Sequence, residues 1–279
     1  MKIRWRIVSC LAVALLVAVI VLAVRSRAEP SCQGKSLSEW ADQYYATYGY
    51  NVDPAIQSQA AVARNAICQI GTNALSPLLS MLQAKDARLI TKLLPWLPAA
   101  LADSLEAHSA ERSRLQAVFG FLALGPLAKP AVPMLIHLLA HREPTTRASA
   151  IQALGAIGPS AEEAVPALVG LVVDRPSGWD RGEISAAMIS LEQIHRRPDL
   201  VVPALLSILE DCERSAPPFA EAACRSLASF GRDAATARAT LSRCARDANS
   251  LCWVAARDAL NQINHELSFV ASDDGGVVR

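Results

Sequence analysis

Along most of the chain apolar residues recur three and four apart, and short stops interrupt them at a near-regular interval. The stops are Ile70-Gly71, Leu124-Gly125, Ile157-Gly158, Ile194-His195, Phe230-Gly231 and Ile263-Asn264. Eight residues before each stop stands an alanine: Ala63, Ala117, Ala150, Ala187, Ala223 and Ala256. Four before stand Ile67, Phe121, Leu154, Leu191, Leu227 and Leu260, and one before stand Ile70, Leu124, Ile157, Ile194, Phe230 and Ile263. These offsets share one face of a 3.6-residue helix. An alanine column lets a neighbouring helix come close. Glycine at the stop takes the left-handed conformation that ends a helix, and Pro126 and Pro159 forbid continuation.

A second helix follows each stop. Pro133, Pro166 and Pro203 stand eight residues after their stops, where proline suits a first helical turn. Leu135, Leu168, Leu205 and Leu241 follow, then Leu138, Leu171, Ile208 and Cys244. Each unit therefore reads as an antiparallel helix pair, with stops 33, 37, 36 and 33 residues apart from Gly125 onward. The longer gap between Gly71 and Gly125 predicts a degenerate unit, with Ile90, Leu94 and Leu97 on its first face and Leu101 and Leu105 on its second. The count is about six pairs plus a terminal half pair. The predicted fold is an all-α solenoid in which stacked pairs bury a continuous core.

The stretch Ala150-Ile-Gln-Ala-Leu-Gly-Ala-Ile-Gly158 through Leu171 resembles HEAT repeats, and the resemblance runs over roughly residues 58–265. Gly34-Lys-Ser-Leu-Ser-Glu-Trp40, with Ala66-Ile67 and Ile70-Gly-Thr-Asn-Ala-Leu75, looks like bacterial exported or membrane-anchored HEAT-repeat proteins. That resemblance implies an interaction scaffold. His195 and Asn264 depart from the glycine stop. The solenoid is assigned to residues 58–267, with a linker and capping helix at 29–57 and a frayed tail at 268–279. Leu37, Trp40, Ala41 and Tyr44 form one face of the cap.

Residues 1–28 form a separate segment. Lys2, Arg4 and Arg6 precede Ile7–Val24, which has no charge, and Arg25 and Arg27 follow it. A helix over that run spans ~27 Å at ~1.5 Å per residue, close to the hydrocarbon thickness of a bilayer. The favoured reading is a single-pass inner-membrane anchor with the bulk of the chain facing the periplasm. The alternative is a signal peptide cut after Ala28, where Ser26-Arg27-Ala28 fits a small-x-small site, leaving a secreted protein. The run follows Ile7-Val8-Ser9-Cys10 instead of preceding it, so those residues are no lipoprotein box. The chain has 27 basic and 26 acidic residues; the first 28 hold five of the basic ones and no acid, leaving 22 against 26, a net charge of −4. A bulk cation surplus for binding nucleic acid is missing.

Candidate chemistry is sparse. Gly34-Lys35-Ser36 lacks a phosphate loop's earlier glycine, since Glu29 occupies that position, and reads as a turn before a helix. His137 and His141, four apart on a second helix, have metal-ligand spacing, but Leu138 stands where a zinc-hydrolase glutamate belongs. Their other reading is hydrogen bonding near a helix C-terminus, and no metal is assigned. Glu162-Glu163 favours a helix N-terminus by its charge. Beyond Cys10, the cysteines are Cys32, Cys68, Cys212, Cys224, Cys244 and Cys252, with no CxxC pair. Cys224 and Cys244 fall in core columns, and an exported setting permits a disulfide among Cys212, Cys244 and Cys252. The loop Asp174-Arg-Pro-Ser-Gly-Trp-Asp-Arg-Gly-Glu183 carries Arg175, Trp179 and Arg181, an aromatic between charges, as interaction loops do.

No nucleophile elbow or zinc-deaminase signature is present. The expected function is a non-enzymatic scaffold for an unknown protein or peptide partner, monomeric, without cofactor or nucleic acid, and bound to the membrane by its N-terminal helix. HEAT-like repeats also resemble bilin lyases and a class of DNA glycosylases. Export argues against that enzymatic alternative, because those substrates are cytoplasmic.

Overall fold

A computed structural model describes residues 29–48, 54–85, 109–174, 180–212, 218–246 and 252–273. The apolar run 7–24, the degenerate unit at 86–108, and Arg175 and Trp179 lie outside the described residues, as does the side chain of Cys212.

The described chain begins with a small hairpin. Strand β1 (Ser31–Cys32) pairs antiparallel with β2 (Lys35–Ser36), with Ser31 opposite Ser36 and Cys32 opposite Lys35. Gln33 and Gly34 make the turn at φ of 52° and 79°, the paired left-handed geometry of a two-residue hairpin. Gly34-Lys35-Ser36 is thus a turn leading into a helix cap. Helix α1 (Leu37–Thr47) starts from a capping box: the Ser36 hydroxyl accepts the Glu39 backbone N–H, and the Glu39 carboxylate accepts that of Ser36 at 2.7 Å. Its face of Leu37, Trp40, Ala41 and Tyr44 is buried, as the pattern predicts, and the Trp40 indole donates to the Cys32 carbonyl at 2.9 Å.

Eleven further helices follow among the described residues: α2 (Pro54–Ile70), α3 (Leu75–Leu82), α4 (Ala110–Leu124), α5 (Val132–Leu138), α6 (Pro144–Ile157), α7 (Val165–Asp174), α8 (Arg181–Ile194), α9 (Pro198–Cys212), α10 (Pro218–Ser229), α11 (Arg238–Arg246) and α12 (Trp253–Asp273). Gly71, Gly125, Gly158 and Gly231 end their helices at φ between 50° and 70°, and each leads through a short 3-10 turn into a second helix. His195 does the same work at φ 48° and ψ 46°, a conformation that a non-glycine residue adopts at some cost. Its ring stacks on Phe230, the stop-column residue of the next unit, with centroids 4.7 Å apart.

The units stack in series. Each first helix packs on the next, α2 on α4, α4 on α6, α6 on α8, α8 on α10 and α10 on α12. Each second helix packs on the following first helix, α3 on α4, α5 on α6, α7 on α8, α9 on α10 and α11 on α12. The alanine column and the columns four and one before the stops are buried throughout, except that Leu260 on the terminal helix is only partly covered. A further column, five before the stop, holds Ala66, Gly120, Ala153, Ser190, Ser226 and Ala259, all small and all buried. This is an all-α solenoid. The apolar stretches Ala110–Leu138 and Pro144–Asp174 are long enough to cross a bilayer. Each, however, is two helices broken at a left-handed glycine, with 50% and 33% of its most apolar window already buried in the stack.

Two local expectations, at Asn264 and Pro203, are corrected. Before them in the chain, α4 packs directly on α2 and α3. Gly120 has no side chain, so Leu78 of α3 lies against it, and the Cys68 thiol of α2 donates to the Ala123 carbonyl at 3.3 Å. Asn264 is no stop: with neither glycine nor a following proline, α12 continues to Asp273, six residues into the predicted tail. Pro203 lies inside α9, not in its first turn, because Pro198 starts that helix three residues after His195.

Candidate functional site

The second helices share an unusual surface. Leu75–Leu82, Val132–Leu139, Val165–Val173 and Leu200–Leu209 contain no Asp, Glu, Lys or Arg. Their inward residues, such as Leu78, Leu135, Leu168 and Leu205, are buried. The outward positions are also largely apolar: Met134 is 49% and Val173 46% exposed, and Leu127 in the preceding 3-10 turn 48%. Pro133, Pro166 and Pro203 are exposed, as is His137 on α5. Gly170 stands on α7 where an added Cβ would meet only the Asp174 carboxylate, at 3.8 Å. Charge returns at the margins, with Asp174, Asp199 and Glu210, then Arg238, Arg243 and Arg246 on α11. Charge is also exposed in the turns that lead into α5 and α7, at Lys129, Glu162 and Glu163, but a helix surface that faces solvent normally carries charge along its length, so these uncharged helix faces are suited to being covered.

One edge of this stack is locked by a buried ion pair. Arg147 on α6 meets Glu183 on α8 in a two-point contact, Nε to Oε1 at 2.8 Å and Nη2 to Oε2 at 3.0 Å. The two residues are 7% and 2% exposed. Arg147 also donates from Nη1 to the carbonyls of His141 at 3.1 Å and Arg142 at 3.2 Å. Glu183 in turn accepts the backbone N–H of Asp180, whose carboxylate caps α8. The clamp therefore joins the turn before α6 to the start of α8, where Arg181 is exposed in the first turn. Arg114 holds the equivalent position, eleven before its stop, and donates to the Ala84 carbonyl at 2.9 Å.

The predicted binding residues divide accordingly. His141 and Arg181 come to this one edge through the Arg147–Glu183 pair. His141 lies beyond α5, and its Nδ1 accepts the Glu143 backbone N–H at 3.1 Å, a turn-stabilising role of the kind that its position predicts. His137 is exposed on the uncharged face. Among the described residues no group of three His, Cys, Asp or Glu could hold a metal. Cys224, Cys244 and Cys252 are buried in the core, and Cys32 and Cys68 are half-buried. The pattern reading missed an aromatic cluster where α1 crosses α4: Tyr44, Tyr45 and Tyr48 all meet Phe119 edge-on, at 4.8 to 6.3 Å. Burial raises the pKa of the Tyr44 phenol.

The family model for HEAT repeats matches residues 98–189. None of the curated proteins matches the chain. Among solved structures, the chain is similar to an engineered protein crystallised by the Northeast Structural Genomics Consortium, at 17% identity over 82% of this chain and 97% of that one, with a TM-score of 0.46. That likeness is too loose to bear on function. The matched segment covers α4 to α7 and much of α8, and the same sequence of first helix, left-handed stop and second helix recurs on both sides of these HEAT repeats.

Proposed function

We propose that the protein is a non-enzymatic interaction scaffold, held to a membrane by residues 7–24, whose second-helix face takes a protein or peptide partner outside the cytoplasm. The observation that carries this reading is the uncharged face across α3, α5, α7 and α9, with Met134 and Val173 about half exposed at its centre. Covering exposed apolar surface of this kind favours association. The clamp at Arg147 supports it by holding neighbouring units at a fixed angle, so that the face is preformed and little ordering is needed on binding.

The test is crosslinking in intact envelopes followed by recovery of the tagged full chain. A defined partner should be recovered with the unchanged protein and lost by about tenfold or more with the pair Met134→Glu and Val173→Glu. Undiminished recovery with the charged pair would remove this face from the reading. The tether is checked by mass spectrometry of the mature N-terminus: an intact start at Met1 agrees with it, and a start at Glu29 contradicts it.

A further inference from the structure

A groove of about 630 Å³ crosses the first helices of the last units and is separate from the uncharged second-helix face. Ala228 of α10 and Ala259 of α12 line its floor, and Val254 stands exposed at its edge. Small side chains at these places leave space between the helices. The rim is charged: Glu192 from α8, Glu221 and Arg225 from α10, and Asp258 from α12. Three carboxylates and one guanidinium thus line the groove beside small apolar side chains, with Ser229 and Gln262 among them. Glu192 is half-buried, and its carboxylate accepts the hydroxyl of the buried Ser226 at 3.4 Å, which orients it before any ligand arrives. The neighbouring Arg257 reaches Asp258 only at 3.8 Å, on the exposed surface, so that carboxylate is weakly held.

We propose that this groove binds an extended peptide segment bearing at least two Lys or Arg residues separated by small or apolar ones. Helices pack ~8–10 Å apart, so a segment crossing from α8 to α12 runs roughly 20 Å. At about 3.3–3.6 Å per residue, that is six or so residues in extended form. Glu192 and Asp258 stand on its two outer helices and would each take one cation. Arg225 between them favours a carboxylate or carbonyl on the segment and rejects a third cation. The alanine floor admits side chains no larger than a short aliphatic group between the basic positions. This site does not depend on the second-helix face, and the two are tested apart.

The probe is a labelled hexapeptide with two lysines spaced by alanines, titrated into the full chain in detergent beside its glutamate and glutamine counterparts. The lysine peptide should bind best, weaken with salt, and lose about tenfold in affinity with Glu192→Gln plus Asp258→Asn, while Met134→Glu plus Val173→Glu leaves it unchanged. Both groove substitutions preserve shape, and an unchanged helical circular dichroism spectrum confirms that the stack is intact. Equal binding of the three peptides, or indifference to the groove substitutions, would overturn the proposal. So would concentration-dependent self-association in sedimentation that the groove substitutions abolish, since the occupant would then be a second copy of the chain.

Discussion

The side chains that decide this structure are small ones at close approaches and one pair of charges. Arg147 and Glu183 are both removed from water, and each is held by the other and by backbone groups. Truncating one strands a buried charge, so Arg147→Ala should cost about 3–5 kcal/mol, read by chemical denaturation. Arg147→Lys should fail to restore it, because an ammonium cannot make the two-point contact. The double change to leucine should lose far less than the two single losses combined. Gly155 and Gly170 give a second contrast. A Cβ on Gly155 would meet the Ser190 hydroxyl at 2.7 Å and its Cα at 3.0 Å, whereas Gly170 faces open space. Gly155→Ala should destabilise by about 1–3 kcal/mol, while Gly170→Ala should be neutral or gain up to about 1 kcal/mol. Thermal melts of the two variants would check both signs.

At the level of helices, starts and stops matter more than propensity. The cap of α1 makes a pH-dependent contribution. The Ser36 backbone N–H, then its hydroxyl, then Lys35, hold the Glu39 carboxyl below its ordinary value of 4.5. The folded value lies under the unfolded one, so this stabilisation is complete above that ordinary value and is lost as pH falls through the lowered one. Melting between pH 6 and pH 3 should show the loss in the unchanged protein and not in Glu39→Gln, with Trp40 fluorescence reporting on α1. The alanine and leucine columns were legible in the sequence because every unit needs them for the same contact. The small column at Gly120, Ser190 and Ser226 was just as periodic, but it mixes residue types that a hydrophobic pattern scores differently, whereas arginine stands eleven before the stop in only two units, at Arg114 and Arg147. Asn264 misled because its spacing matched a stop while its chemistry did not: only glycine, or a residue held like His195 against Phe230, ends these helices.

Across the whole molecule the sequence carried the fold better than the surface. Serial stacking follows from repeated residues, whereas the aromatic cluster and the charged groove arise where unlike positions of different helices meet. Phe119 and Tyr45 lie 74 residues apart and belong to no shared column. The direct contact of α2 and α3 with α4 was equally hidden, since it turns on Gly120 accepting Leu78 and not on the length of chain between them. The solenoid that results has one surface with little charge and another with a charged groove, and the functional reading rests on the first. Its most direct test is photo-crosslinking in intact cells from Met134, Gly170 and Ser207, on three successive second helices, with Val62 and Leu115 on first helices as controls. The account predicts adducts to one common partner from all three positions and none from the controls. Adducts from Val62 or Leu115 with nothing captured from the second-helix row would contradict it.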